Sequence, residues 1–184
     1  MGILVGVLAI QGDFEAHLKV FRKLGVAHKE IRVADDFSGV THLVIPGGES
    51  TTIRKVAKTE SFWDKLAKFE GPLMGTCMGS ILMAKEIESP AADGWGMLDI
   101  TIRRNAYGRQ INSFTASGKT ALSEDPFEMV FIRAPKFIRI GKNVKPIAWL
   151  ENEITGVTAG NKMALAFHPE LSDSSLFHEH FLGL

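Results

Sequence analysis

Apolar and polar positions fall in blocks along this chain, and the blocks predict strands and helices in turn. Ile3 to Ile10 is an unbroken apolar run, the pattern of a strand covered on both faces, as in a parallel sheet. Gln11, Gly12 and Asp13 break it. Phe14, Leu18, Phe21 and Leu24 then recur at helical spacing, and Gly25 supplies a stop. His17 is expected on the polar side of that helix. Ile31 and Val33 mark a short second strand that leaves through Asp35-Asp36. His42 to Ile45 is a third strand, ended by Pro46-Gly47-Gly48, and Ser50 or Thr51 can cap the helix after it. Phe62, Leu66 and Phe69 continue a helical stripe. Leu73 to Gly75 is a short strand, and Met78 to Ile87 reads as helix.

The second half changes pattern. Leu98 to Ile102 alternates, as does part of Glu128 to Ile132. Ile147 to Leu150, Ile154 to Ala159 and Lys162 to Phe167 are further short strands, with Gly160-Asn161 as a hairpin signal between the last two. A helix follows near Ser174 to Phe181. The predicted fold is α/β: a three-layer, open, mixed sheet, mostly parallel and flavodoxin-like, with antiparallel additions to the same sheet in the second half. No composition shift or repeat divides the chain, so residues 1–184 are expected to form one domain.

Charge and cysteine content narrow the function. Lys and Arg number 21, and so do Asp and Glu. A chain without a basic excess is not built mainly for nucleic acid or an anionic membrane. One cysteine excludes an internal disulfide and a multi-cysteine zinc site, and fits a reducing compartment. The apolar start is too short to span a bilayer and lacks the flanks of a signal peptide. A cytoplasmic protein is expected.

That cysteine has a telling context. Gly75-Thr76-Cys77-Met78-Gly79 lies between an apolar strand and a helical segment. A nucleophile flanked by small residues makes a tight strand-to-helix turn at the carboxyl edge of a sheet. The following helix start favours a thiolate, and the Met78 N–H points toward an oxyanion at an attacked carbonyl. A thiol nucleophile needs a base, and His168 ends an apolar run with Glu170 two residues on. In extended chain, positions i and i+2 share a side about 6.5 Å apart, which brings a carboxylate within reach of the ring. Pro169 favours that extended form. Taken singly, the cysteine could be a buried structural thiol and the His-Pro-Glu a strand end; together they point to catalysis. His178 and His180 do not face one another on a helix, which argues against a metal pair.

Gly47 and Gly48 expose backbone N–H groups before a helix, so the Gly48 N–H is a candidate second oxyanion donor. Arg103-Arg104 and Arg133 lie near strand ends, where a guanidinium can clasp a carboxylate.

Together these residues resemble a known family. Pro-Gly-Gly-Glu-Ser-Thr at 46–51, the Cys77 elbow and His168-Pro169-Glu170 are similar to class I (triad) glutamine amidotransferases. The segments 104–110 with Ser113-Phe114, 130–135 and 6–12 resemble the glutaminase subunits of pyridoxal 5′-phosphate synthases. The resemblance implies glutamine hydrolysis to glutamate and ammonia through a Cys77 thioester. His168 would serve as acid and base, Glu170 would orient it, and the Gly48 and Met78 N–H groups would form the oxyanion hole. Glutamine would be held by Gly48, Glu49, Ser50, Arg104, Ile132 and Arg133. No metal or cofactor is implied. The implied partner is a separate pyridoxal 5′-phosphate synthase barrel subunit that receives the ammonia and docks at Gln11, Asp13, Glu15 and His17. Two positions depart from the family pattern: Met78 stands where Ala is usual and Ser80 where Leu is common. The alternatives are another cysteine hydrolase of peptidase or deglycase type, a non-catalytic docking subunit, and a flavodoxin-like mononucleotide binder.

Overall fold

The structure is a computed structural model that describes residues 2–10, 12–48, 60–88, 91–106 and 113–184. Gln11, Glu49, Ser50 and the helix expected after Thr51 lie outside the described residues. The order begins β1 (Leu4–Leu8), α1 (Phe14–Lys23), β2 (Ala27–Ile31), β3 (His42–Ile45), α2 (Glu60–Ala67), β4 (Leu73–Thr76) and α3 (Met78–Met83). Strands β5 (Ala84–Glu88), β6 (Ala91–Asp93), β7 (Leu98–Arg103), β8 (Ser113–Thr120), β9 (Ser123–Ile132) and β10 (Lys136–Ile140) follow. The chain closes with β11 (Lys145–Leu150), β12 (Glu153–Ala159), β13 (Lys162–Leu165) and α4 (Leu176–Leu182).

Nine of these strands form one sheet in the order β2-β1-β3-β4-β13-β12-β11-β8-β9. From β2 through β13 the pairings are parallel, and from β13 to β9 they are antiparallel. The parallel strands are the apolar runs. In β3, Leu43 and Ile45 face one side and Val44 the other, and all three are fully buried. Helices α1 and α4 cover one face through Leu18, Phe21, Phe177 and Phe181. Helices α2 and α3 cover the other through Phe62, Leu66, Met78, Ile81 and Leu82. The mixed α/β sheet is the expected one. The Gly160 turn joins β12 to β13 with Ala159 opposite Lys162, and its φ of 56° is the kind glycine permits.

Three details differ from the sequence reading. The helix predicted to Ile87 ends at Met83, because Trp95 N–H and Gly96 N–H take up the carbonyls of Leu82 and Ala84. Residues 84–88 become a strand instead. Leu98 to Arg103 does not join the main sheet but a second one, ordered β10-β7-β5-β6. Its burial explains this: Leu98, Ile100 and Ile102 face the core, while Asp99 and Arg103 face water and pair with Arg139 and Glu88. A one-faced strand suits a sheet with a solvated side. The second strand ends at Ile31, leaving Val33 57% exposed. Among the described residues no helix is long and apolar enough to cross a membrane.

Candidate active site

Strands β4 and β13 run side by side and parallel, with Thr76 opposite Leu165. One residue beyond β4 is Cys77, and three beyond β13 is His168. The ladder continues past the strand ends, since the Cys77 N–H donates to Leu165 O at 2.8 Å. The chain turns sharply at Cys77, which has φ 49° and ψ −104° as it opens α3. A side chain there is strained, and such strain collects at functional sites. The flanking glycines let the turn close. A β-carbon on Gly79 would lie 2.0 Å from Ile45 O, and one on Gly75 would lie 2.5 Å from Met83 Sδ. Cys77 is buried, and its Sγ lies 3.5 Å from Ile132 O.

His168 and Glu170 are also buried. Their contact does not use extended chain. Pro169 starts a single 3₁₀ turn over Pro169–Leu171, and this turn puts Glu170 Oε1 at 2.7 Å from His168 Nδ1. The His168 N–H donates to Val130 O at 2.8 Å, which ties the turn to β9. Burial disfavours the charged imidazole, but the neighbouring Cys77 and the hydrogen-bonded Glu170 carboxylate outweigh it and lift His168 to about 10. Burial likewise pushes Glu170 up, but the attraction of His17 and the hydrogen bond from His168 dominate and hold it well below the usual carboxylate range.

The Gly47-Gly48 loop leaves β3, next to β4, so it borders the elbow. Gly48 has φ 142°, and a β-carbon on Gly47 would meet His168 Cε1 at 2.4 Å. Gly12, with φ 81°, packs on the same loop: a β-carbon there would lie 1.7 Å from Gly47 O. The loop before α1 therefore rests on the glycine loop, which rests on His168.

The two basic segments also meet. The Ala106 N–H donates to Ala134 O at 3.2 Å, joining the Arg104-Asn105 turn to the end of β9. Asn105 and Arg133 both have φ 47°. Since Ile132 O contacts the Cys77 sulfur, the structure brings Arg104, Ile132 and Arg133 into one neighbourhood with the elbow.

His17 is not on the polar side of α1. It is fully buried, with Nδ1 3.0 Å from His178 Nε2 and Nε2 3.3 Å from both Thr76 Oγ1 and Glu170 Oε2. It presents no surface to a partner, whereas Asp13 and Glu15 are exposed. The signal was there to read: His17 lies three positions after Phe14, within the stripe continued by Leu18 and Phe21. Ligand atoms of Asp13, His168 and Glu170 lie within 4.8 Å of one another. The His168 Nδ1 in that group is already committed to Glu170, so a cation would have to break the pair.

The profile of the SNO glutamine amidotransferase family matches residues 7–183. The chain is similar to the pyridoxal 5′-phosphate synthase subunit PdxT of Deinococcus radiodurans, 42% identical over 188 residues, covering 98% of this chain and 96% of that one. It is similar to the PdxT of Thermococcus onnurineus, 43% identical over 191 residues, covering 97% and 96%. A crystal structure of a glutamine amidotransferase matches with a TM-score of 0.89 at 40% identity, over 97% of each chain. A putative GMP synthase subunit from Thermoplasma acidophilum shares the fold, with a TM-score of 0.69 at 17% identity over 100% of this chain and 94% of that one.

Proposed function

This chain belongs to the SNO glutamine amidotransferase family, and on that premise we propose that it is the glutaminase subunit of a pyridoxal 5′-phosphate synthase, a single domain over residues 1–184. The observation that carries the chemistry is the buried His168–Glu170 pair beside the Cys77 elbow. A buried base held by a carboxylate beside a cysteine is the arrangement that activates a thiol nucleophile.

In this reading Cys77 Sγ attacks the side-chain amide carbon of glutamine. The carbonyl becomes a tetrahedral oxyanion, received by the N–H groups of Gly48 and Met78. As the oxyanion collapses, the C–N bond breaks and His168 gives its proton to the departing ammonia. The glutamyl group remains on sulfur as a thioester. His168, now neutral, takes a proton from water, and the resulting hydroxide displaces the thiolate to give glutamate. Glu170 holds the ring and balances its charge throughout, the role of the acid in such triads.

Gly48, Glu49 and Ser50, with Arg104, Ile132 and Arg133, hold the substrate. The backbone link between the Arg104 turn and the segment after Ile132, whose carbonyl touches Cys77, supports a grip on the α-carboxylate. Ammonia would be passed to a separate synthase barrel subunit, since free ammonia is protonated in water and stops being a nucleophile. The loop before α1 is the docking candidate, with Gln11, Asp13 and Glu15. Its packing on the glycine loop gives docking a short mechanical path to the oxyanion donor. A reducing, cytoplasmic setting suits a lone reactive thiol. The test is glutamate release from glutamine with and without the barrel subunit. The reading expects release that is stimulated by the barrel and lost in Cys77→Ala. A Cys77→Ala protein as active as the parent would overturn it.

A further inference from the structure

We propose that His17 and His178 are positioning residues of the hydrolytic site, two rings in edge contact that hold the Glu170 carboxylate against His168; this rests on the reading of Cys77, His168 and Glu170 as a hydrolytic triad. One oxygen of Glu170 faces His168 at 2.7 Å. The other would be free to swing, because the carboxylate torsion of glutamate is broad. It is instead 3.3 Å from His17 Nε2, with both side chains fully buried. At 3.3 Å this is an ion-pair contact and not an aligned hydrogen bond, and since a carboxylate only accepts, it is favourable in the forms of the ring that carry a proton on Nε2. The same nitrogen lies 3.3 Å from Thr76 Oγ1, the residue just before the nucleophile. The opposite nitrogen of His17 faces His178 Nε2 at 3.0 Å.

These two rings thus join four parts of the molecule: α1, the end of β4, the Glu170 turn and α4. They do so among the aromatic side chains Phe21 and Phe181. Burying this many polar groups is unfavourable compared with apolar residues of the same size. Core filling alone gives no reason for imidazoles here. A second oxygen that must stay aimed at its partner does. Burial and the neighbouring His17 hold His178 down at about 3, so it stays neutral and serves as a fixed prop. The groups facing Glu170 are His168 on its own turn, His17 from α1 and His178 behind it from α4. Asp13, from the loop before α1, stands 4.0 Å from His168 Nδ1, and Cys77 faces the ring from the elbow.

The test is steady-state glutamate release by the full-length protein with its synthase subunit, across glutamine concentration and pH. We expect His17→Leu to lower kcat by about tenfold or more with KM within about twofold, the split of a group that acts on the reacting machinery. Its acid limb should move to higher pH, because Glu170 loses one of the two histidines that keep it ionised. His17→Gln, which can still offer an N–H to Oε2, should recover most of the rate, and His178→Phe should follow His17→Leu by a smaller margin. In a Glu170→Gln background, His17→Leu should cost less than about twofold, since it then has nothing left to hold. Multiplicative losses in that background, or equal damage from Leu and Gln with an unmoved acid limb, would overturn the proposal and leave the rings as core. Should the Leu variant fail to fold, His178→Phe takes its place in the cycle with Glu170→Gln: its loss should vanish in that background, and a multiplicative loss would overturn the proposal. A parent that releases no glutamate, or a Cys77→Ala protein that does, would instead remove the triad reading itself, and the proposal with it.

Discussion

Gly47 and His168 are in such close contact that a β-carbon on Gly47 would lie 2.4 Å from Cε1 of the ring. The ring cannot retreat freely, because Glu170 holds Nδ1, the atom bonded to Cε1. Gly47→Ala should therefore displace the imidazole rather than the loop alone. A shift of about 1 Å in a catalytic group can cost 10²-fold in rate. The expected outcome is a loss of glutaminase activity near that size, with a destabilisation of about 1–3 kcal/mol from overpacking. Glutamate release and urea unfolding read the two effects. Full activity in Gly47→Ala would mean that the ring does not need its place.

Acid stability has a sign that can be worked out in advance. Burial presses His178 to about 3, below its ordinary 6.5. Its contribution to folding is present above about 6.5 and is lost as pH falls toward 3, because the unfolded chain takes up the proton first. Glu170, also depressed, adds a loss that starts only below the ordinary carboxylate value. His168 works in the other sense: raised to about 10, its contribution is complete below 6.5 and fades as pH rises through 10. The fall in stability between pH 6.5 and 4.5 thus reports on buried neutral histidines and not on His168. In His178→Phe that fall should become shallower, with the part due to the lowered His42 and His180 remaining. Denaturant midpoints from pH 4.5 to 7 check this. A slope as steep as the parent's would exclude His178 as its source.

The parts of this molecule legible in the sequence are those whose surroundings force a local pattern. Strands β1, β3, β4 and β13 are covered on both faces, and each shows as an apolar run. The Cys77 elbow and His168-Pro169-Glu170 are contiguous motifs, so they were visible before any fold was known. The second sheet was not. Leu98 to Arg103 alternates in the same way whichever sheet it joins, and β5 looks helical until the loop at Trp95-Gly96 claims the carbonyls that would continue α3. The His17–His178 contact joins residues 161 positions apart. Periodicity places His17 on a buried stripe, but only the fold shows what it faces there.

Ser80 offers a separate test of how the elbow is held. Its hydroxyl lies 2.6 Å from Leu165 O and 2.9 Å from Gly75 O, at the ends of the two strands that carry nucleophile and base. Ser80→Ala removes both contacts in a fully buried place, which should cost about 1–2 kcal/mol. Leu165 O keeps the Cys77 N–H, so catalysis should fall only a few-fold. Ser80→Leu has to fit a larger side chain into closed space and should destabilise by about 1–3 kcal/mol. Urea midpoints rank the two. A Leu variant more stable than the parent would show that the packing around α3 has room that these contacts conceal.

Met78 separates the side chain from the backbone at one position. The side chain packs in the apolar cluster with Ile81 and Leu82 and is 2% exposed. Its N–H is the proposed oxyanion donor. Met78→Ala should therefore lower stability by about 2–5 kcal/mol, as buried truncations do, yet retain hydrolysis when assayed well below its unfolding temperature. Replacing the Met78 amide by an ester, which deletes the N–H and keeps the side chain, should do the reverse. Losing one oxyanion donor typically costs about 10²–10³ in kcat. Comparing kcat with thermal midpoints for the two proteins decides the matter. If Met78→Ala lost activity while the ester kept it, the oxyanion would have to be stabilised from elsewhere, and the Gly48 loop would be left as the first place to look.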